Sequence, residues 1–123
     1  MSKQLAKIRS TRLEINDQGI LTFAIDVDYE NGFSQCVGGM ALDTYDKIKE
    51  RRVGTASGCE IIRRLIDEFK VGGLEYLKNK HCWIYGDGDE LNFKPKGIQT
   101  LSVDAKTKGI FFEDIYKEFG VEE

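Results

Sequence analysis

The chain has 123 residues, 41% hydrophobic and 32% charged, with a formal net charge of −3. That length suits a single domain, residues 1–123, able to bury a core without disulfide or metal staples. The composition excludes wholesale disorder, and the acidic balance argues against a broad duplex nucleic-acid surface, which needs a basic face.

Residues 3–16 read as a strand, with Arg9, Thr11, Leu13 and Ile15 on one face and Ser10, Arg12 and Glu14 on the other. Leu5 and Ile8 do not both fit that phase, which signals a bulge or a late strand start. Asp17 to Gly19 is a turn. Leu21, Phe23, Ile25, Val27 and Tyr29 then alternate with Thr22, Ala24, Asp26 and Asp28, the mark of a strand with one buried face. Glu30-Asn31-Gly32 predicts a hairpin, and Phe33 to about Val37 the returning strand, which Gly38 and Gly39 end or bulge.

The stretch ALDTYDKIKE, Ala41 to Glu50, reads as a short helix with Asp43 as its cap. The main helix is predicted from Thr55 to Phe69, on the helical spacing of Cys59, Ile62, Leu65, Ile66 and Phe69 with Ile61 beside them. Ser57 and Glu60 match a capping box, and Thr55 is a competing cap. Val71 to Gly73 stops the helix, and Leu74 to Lys80 reads as a second, short one. His81 to Gly86 returns to strand, Asp87 to Glu90 turns the chain, and Leu91 to Pro95 predicts another strand, with the only proline at its exit. A short strand at Leu101 to Val103 and a closing helix, with Phe112, Ile115, Tyr116 and Phe119 on one side, complete the reading. The expected fold is α+β: an antiparallel sheet with two to three helices packed on one face.

Two stretches carry the chemistry. In KERRVGTASGCEIIRRL, Lys49 to Leu65, Arg51, Arg52, Gly54, Thr55 and Ser57 stand in front of the main helix. Helix-terminal N–H groups and guanidiniums together make a phosphate seat. The alternative is that the glycines permit close helix packing while the arginines face water. No nucleoside-triphosphate loop or dinucleotide fingerprint is present. In HCWIYGDGDELNFKP, His81 to Pro95, Trp83 or Phe93 offers an aromatic plane for a purine and Asn92 an amide for a base edge, against the plainer reading of core aromatics beside an acidic turn.

Cys36, Cys59 and Cys82 are widely spaced, with His81 the single histidine, so neither a disulfide framework nor a zinc site is expected. Reduced thiols, no apolar leader and no spanning apolar run lead to the expectation of a cytoplasmic protein. No catalytic motif is recognisable. A binder, with no cofactor, is expected rather than an enzyme.

The stretches DQGILTFAIDVDY, GFSQCVGGMALDTYDKIKERRVGTASGCEIIRRLIDEF and LEYLKNKHCWI resemble the phage Thoeris anti-defence sponges, small proteins that sequester a cyclic ADP-ribose signal made by host TIR-domain enzymes. The resemblance runs from about Arg12 to Tyr85. It implies a homodimer or higher homo-oligomer in the host bacterial cytoplasm. Such a protein binds glycocyclic ADP-ribose without cleaving it, in pockets near subunit contacts, with cyclic oligonucleotides as a further ligand class. The ligand-binding candidates Arg51, Arg52, Gly54, Thr55, Ser57, Trp83, Asn92 and Phe93 come from residue chemistry, not from the resemblance. The alternative reading is an acidic inhibitor that binds a host defence protein directly through Asp26, Asp28, Asp87, Asp89 and Glu90.

Overall fold

The structure is a computed structural model in which residues 1–101 and 109–120 are described. Strand β1 (Ser2–Ile15) pairs with β2 (Leu21–Tyr29), and β2 with β3 (Ser34–Ala41), as an antiparallel meander. Then follow the short strands β4 (Asp43–Asp46) and β5 (Arg51–Gly54), helix α1 (Ala56–Phe69) and a 3-10 turn (Leu74–Leu77). Strands β6 (His81–Asp87), β7 (Lys94–Thr100) and β8 (Ile110–Phe111) lead to helix α2 (Phe112–Glu118). The main sheet is six-stranded and antiparallel, in the order β3-β2-β1-β6-β7-β8, while β4 and β5 form a separate ribbon. This is the α+β class expected, with two α-helices among the described residues.

The alternation of β2 decides which face is buried. Phe23, Ile25 and Val27 are fully buried and share one core with Val37 of β3, Ile84 of β6 and Ile98 of β7. Ile61 and Leu65 of α1 and Ile115 of α2 close this core from the same side. A side chain such as Leu65 contributes about 1.5–3 kcal/mol by leaving water. The buried stripe of α1 is Ile61, Leu65, Glu68 and Phe69, whereas Cys59 is exposed and Ile62 and Ile66 are half-buried. Buried Glu68 is satisfied by the Thr100 amide at 2.8 Å. The sheet curls around the core, so that β3 meets the segment entering β7: Gln35 Nε2 donates to the Phe93 carbonyl at 2.8 Å. The outer face carries polar and aromatic groups, among them Arg12, Asp26, Trp83 and Tyr85.

Three departures from the sequence reading matter. Ala41 to Glu50 is not a helix; it is the end of β3, then β4 and a turn. Asp43 does not cap a helix but accepts a hydrogen bond from the Leu21 amide at 3.1 Å, fixing the ribbon to the sheet. Leu91 to Phe93 form a turn, and the strand starts only at Lys94. The segment after Val71 makes a 3-10 turn rather than a second α-helix. Of the expected strand at Leu101 to Val103, Leu101 is outside any strand and the rest lies outside the described residues.

Three register shifts shape the sheet. The β1–β2 ladder skips Arg9, the expected bulge. In β3 the ladder skips Gly39, and in β7 it skips Lys96. A bulge twists its strand and re-aims a side chain. Gly38 has φ +114°, and a Cβ there would stand 3.0 Å from the Phe23 carbonyl oxygen, so glycine is required.

Candidate functional site

The amino end of α1 is built by a threonine and a close approach. Thr55 is extended and caps the helix, its Oγ1 accepting from the Gly58 amide at 3.0 Å and donating to the Leu42 carbonyl at 3.1 Å. Thr55, and not Ser57, is therefore the cap. Ser57 is buried, with its hydroxyl 3.4 Å from that of Thr55. A Cβ on Gly58 would sit 2.7 Å from Leu42 Cα, so this glycine serves close packing. That answers one half of the question raised by the sequence.

The arginines answer the other half differently from expectation. Arg51 and Arg52 lie on strand β5, not on a loop before the helix. Arg52 Nε reaches Asp43 Oδ1 at 2.9 Å and its Nη2 reaches the Asp43 carbonyl at 3.1 Å, clasping the β4–β5 ribbon. The Arg52 hydrogen bond holds the Asp43 carboxyl below the usual carboxylate range. Arg51 is exposed and donates to the Arg52 carbonyl at 3.3 Å. Neither guanidinium lines a cavity at the helix tip.

A cavity does adjoin that tip. A cleft of about 590 Å³ opens where Thr55 and Ser57 face the bulge at Gly38–Gly39, the bulge at Lys96, and Phe112, Glu113 and Tyr116 of α2. Both ladder interruptions thus border one space. Bulges commonly lie beside sites that bind or react, because each lets a backbone turn outward. Two carboxylates also line the cleft. Asp43 is neutralised by Arg52, and Glu113 lies 3.5 Å from Lys117. Lys96 has no carboxylate within ion-pair distance among the described residues, which leaves its charge for an incoming anion.

The aromatic candidates are dispersed. Phe93 is buried and meets Tyr29 edge-on, with ring centroids 6.1 Å apart, so it is a core residue and offers no stacking plane. Asn92 is exposed in the turn, where its backbone N–H donates to Asp89 Oδ1 at 2.9 Å. Trp83 is on the outer face beneath Lys3, whose Nζ is 4.3 Å from the ring centroid, in a shallow hollow away from the cleft. Gly54 borders a different, apolar groove. Of the eight candidates, the cleft brings together only Thr55 and Ser57.

Lys96, Gly39 and Tyr116 were not singled out by sequence. The double glycine was the available signal, read there as a strand end or a bulge, and a bulge is what Gly39 forms. Three of the acidic residues, Asp26, Asp28 and Asp89, have partners within the chain. Asp26 accepts from Arg12 at 2.9 Å and Ser10 at 3.0 Å; burial raises its carboxyl, and these bonds outweigh burial and hold it below the usual range. Asp28 accepts from Ser34 at 2.6 Å, and Asp89 caps its own turn. Burial pushes the Cys82 thiol up to about 12, so it is no nucleophile at neutral pH. Among the described residues no group of three or more His, Cys, Asp or Glu gathers to hold a metal. No described helix is long and apolar enough to cross a membrane.

No protein-family profile, curated protein or solved structure matches the chain.

Proposed function

We propose that the cleft at the amino end of α1 captures a small phosphate-bearing nucleotide and holds it uncleaved. The ligand class in view is a cyclic ADP-ribose-type signal such as glycocyclic ADP-ribose, and the role is that of a phage sponge against TIR-based defence. The observation that carries this reading is the meeting of the α1 tip, the Lys96 bulge and the Gly39 bulge around one cleft. Its volume of about 590 Å³ lies inside the roughly 300–1,000 Å³ of small-molecule pockets. Helix-terminal N–H groups and the Lys96 ammonium favour a phosphate. Capture rather than cleavage is favoured because Arg52 holds Asp43 below the usual carboxylate range, which makes this carboxylate a weaker base as well as no proton donor at neutral pH.

Calorimetric titration with cyclic ADP-ribose isomers tests the reading, followed by heat release and mass analysis of the ligand. Binding with intact recovery is expected. Lys96→Ala should lower affinity by roughly 1.5–3 kcal/mol, the worth of a charge-assisted bond. Absence of heat with every isomer, or recovery of a cleaved product, overturns the proposal.

A further inference from the structure

Among the described residues, the second half of β1 has only one neighbouring strand. Its first half lies between β2 and β6, with Lys7 opposite His81 as the last β6 pair. Ile8 still exchanges backbone bonds with Lys80 and Asn79, at 2.8 and 2.7 Å. From Ser10 to Ile15 the strand pairs with β2, and nothing among the described residues pairs with its other edge. Such an edge is a template for another strand.

The direction of the free groups can be worked out. The Asn16 amide donates to the Ile20 carbonyl at 2.9 Å, so Asn16 faces β2. Antiparallel ladders alternate, so Glu14 and Arg12 also face β2, while Thr11, Leu13 and Ile15 point their N–H and C=O groups outward. Of the side chains of this half, Ser10 and Arg12 bond Asp26 and Arg12 also meets Glu14, whereas the apolar Leu13 and Ile15 are uncovered. Leu13 is 55% exposed and Ile15 70% exposed, on the face that carries α1 but at its margin, where the helix does not cover them. Leu13 forms one wall of an apolar groove whose other walls include Leu21, Ile62 and Ile66.

We propose that this edge pairs with the same edge of a second copy of the chain, antiparallel about a two-fold axis at Leu13. The two Leu13 residues then exchange both backbone hydrogen bonds, and Thr11 stands opposite Ile15 of the second copy. Arg12 stands opposite Glu14, twice over, at positions where opposed side chains come closest. Moving the axis by one residue opposes Arg12 to Arg12 or Glu14 to Glu14, which is unfavourable. The strand is thus self-complementary in charge at one register. In that register the partner's Leu13 and Ile15 extend over the apolar groove. The two six-stranded sheets become continuous through β1. This pairing needs nothing from the ligand reading, and either can fail without the other.

Sedimentation across a concentration series, with amide hydrogen exchange, tests it. A dimer is expected, with slow exchange at Thr11, Leu13 and Ile15 that speeds up on dilution. Leu13→Pro removes a donor that faces away from β2 and should leave the β1–β2 ladder intact. Glu14→Arg, at an exposed site, opposes arginine to arginine. Each should weaken dimerisation by roughly tenfold or more. Circular dichroism checks the fold, and Glu14→Arg carries the test if Leu13→Pro does not fold. A protein that stays monomeric up to its solubility limit overturns the proposal. So does a dimer that tolerates Glu14→Arg while its Leu13 amide exchanges freely.

Discussion

The corner at the tip of α1 and the turn carrying Asn92 and Phe93 start from similar ingredients: polar side chains, glycines and charge close by. They end differently. At the turn Phe93 fills the core, its carbonyl accepts from Gln35, and Asp89 ties the backbone. At the corner the internal partners are also taken, Thr55 by Gly58 and Arg52 by Asp43, yet two bulges leave a cleft and, beside it, Lys96 with no carboxylate partner among the described residues. The potential to bind lies in what remains after the fold has used its own groups, not in residue type.

The contrast can be broken most directly at Phe93. Phe93→Ala should lower stability by roughly 3–5 kcal/mol, as a large core deletion does. Urea unfolding measures it, and a loss below about 1 kcal/mol would return Phe93 to the list of surface candidates. Gly58→Ala comes next, with a cost of about 1–3 kcal/mol because the methyl group meets the Leu42 backbone. A neutral result would mean that the α1 tip is looser than it stands, and would restore the glycine to a ligand role.

Arg52→Ala should be milder and should show in pH dependence. Asp43 titrates below its unfolded value of about 3.9, so its contribution is fully present above that pH and fades as pH falls through the folded value. In the variant that acid-labile share disappears, and the urea midpoints of the two proteins should converge at low pH. Parallel curves would contradict the clasp. Lys96→Ala should be the smallest in stability, within about 0.5 kcal/mol, while affecting ligand affinity most among these four. A large loss of stability would make Lys96 a structural residue and remove the cation from the cleft.

The strands β2, β3 and β6 and helix α1 were legible because a repeating pattern runs through each. β2 alternates over its whole length, and Val71 to Gly73 marks where α1 stops. The ribbon β4–β5 was not legible. Its strands are four residues each, carry mostly polar side chains, and exist because Asp43 meets Arg52 and the Leu21 amide. Those partnerships are tertiary, and no local period announces them. The same reason hid most of the cleft. Thr55 and Ser57 sit in one readable stretch, whereas Gly39, Lys96 and Tyr116 come from β3, β7 and α2 and become neighbours only when the sheet curls. Phe93 misled because an aromatic before the only proline looks like a strand end whether or not it is buried.

The central place of β1 has a consequence for how the chain acquires its shape. Strands β1 to β3 can zip together through two tight turns, but the seam with β6 joins Ala6 to Cys82 across most of the sequence. Closing so long a loop is slow, since chain entropy is lost before the contacts repay it. Refolding speed should therefore respond far more to changes along that seam than to changes in the early meander, and a circularly permuted chain that brings β6 next to β1 should fold faster.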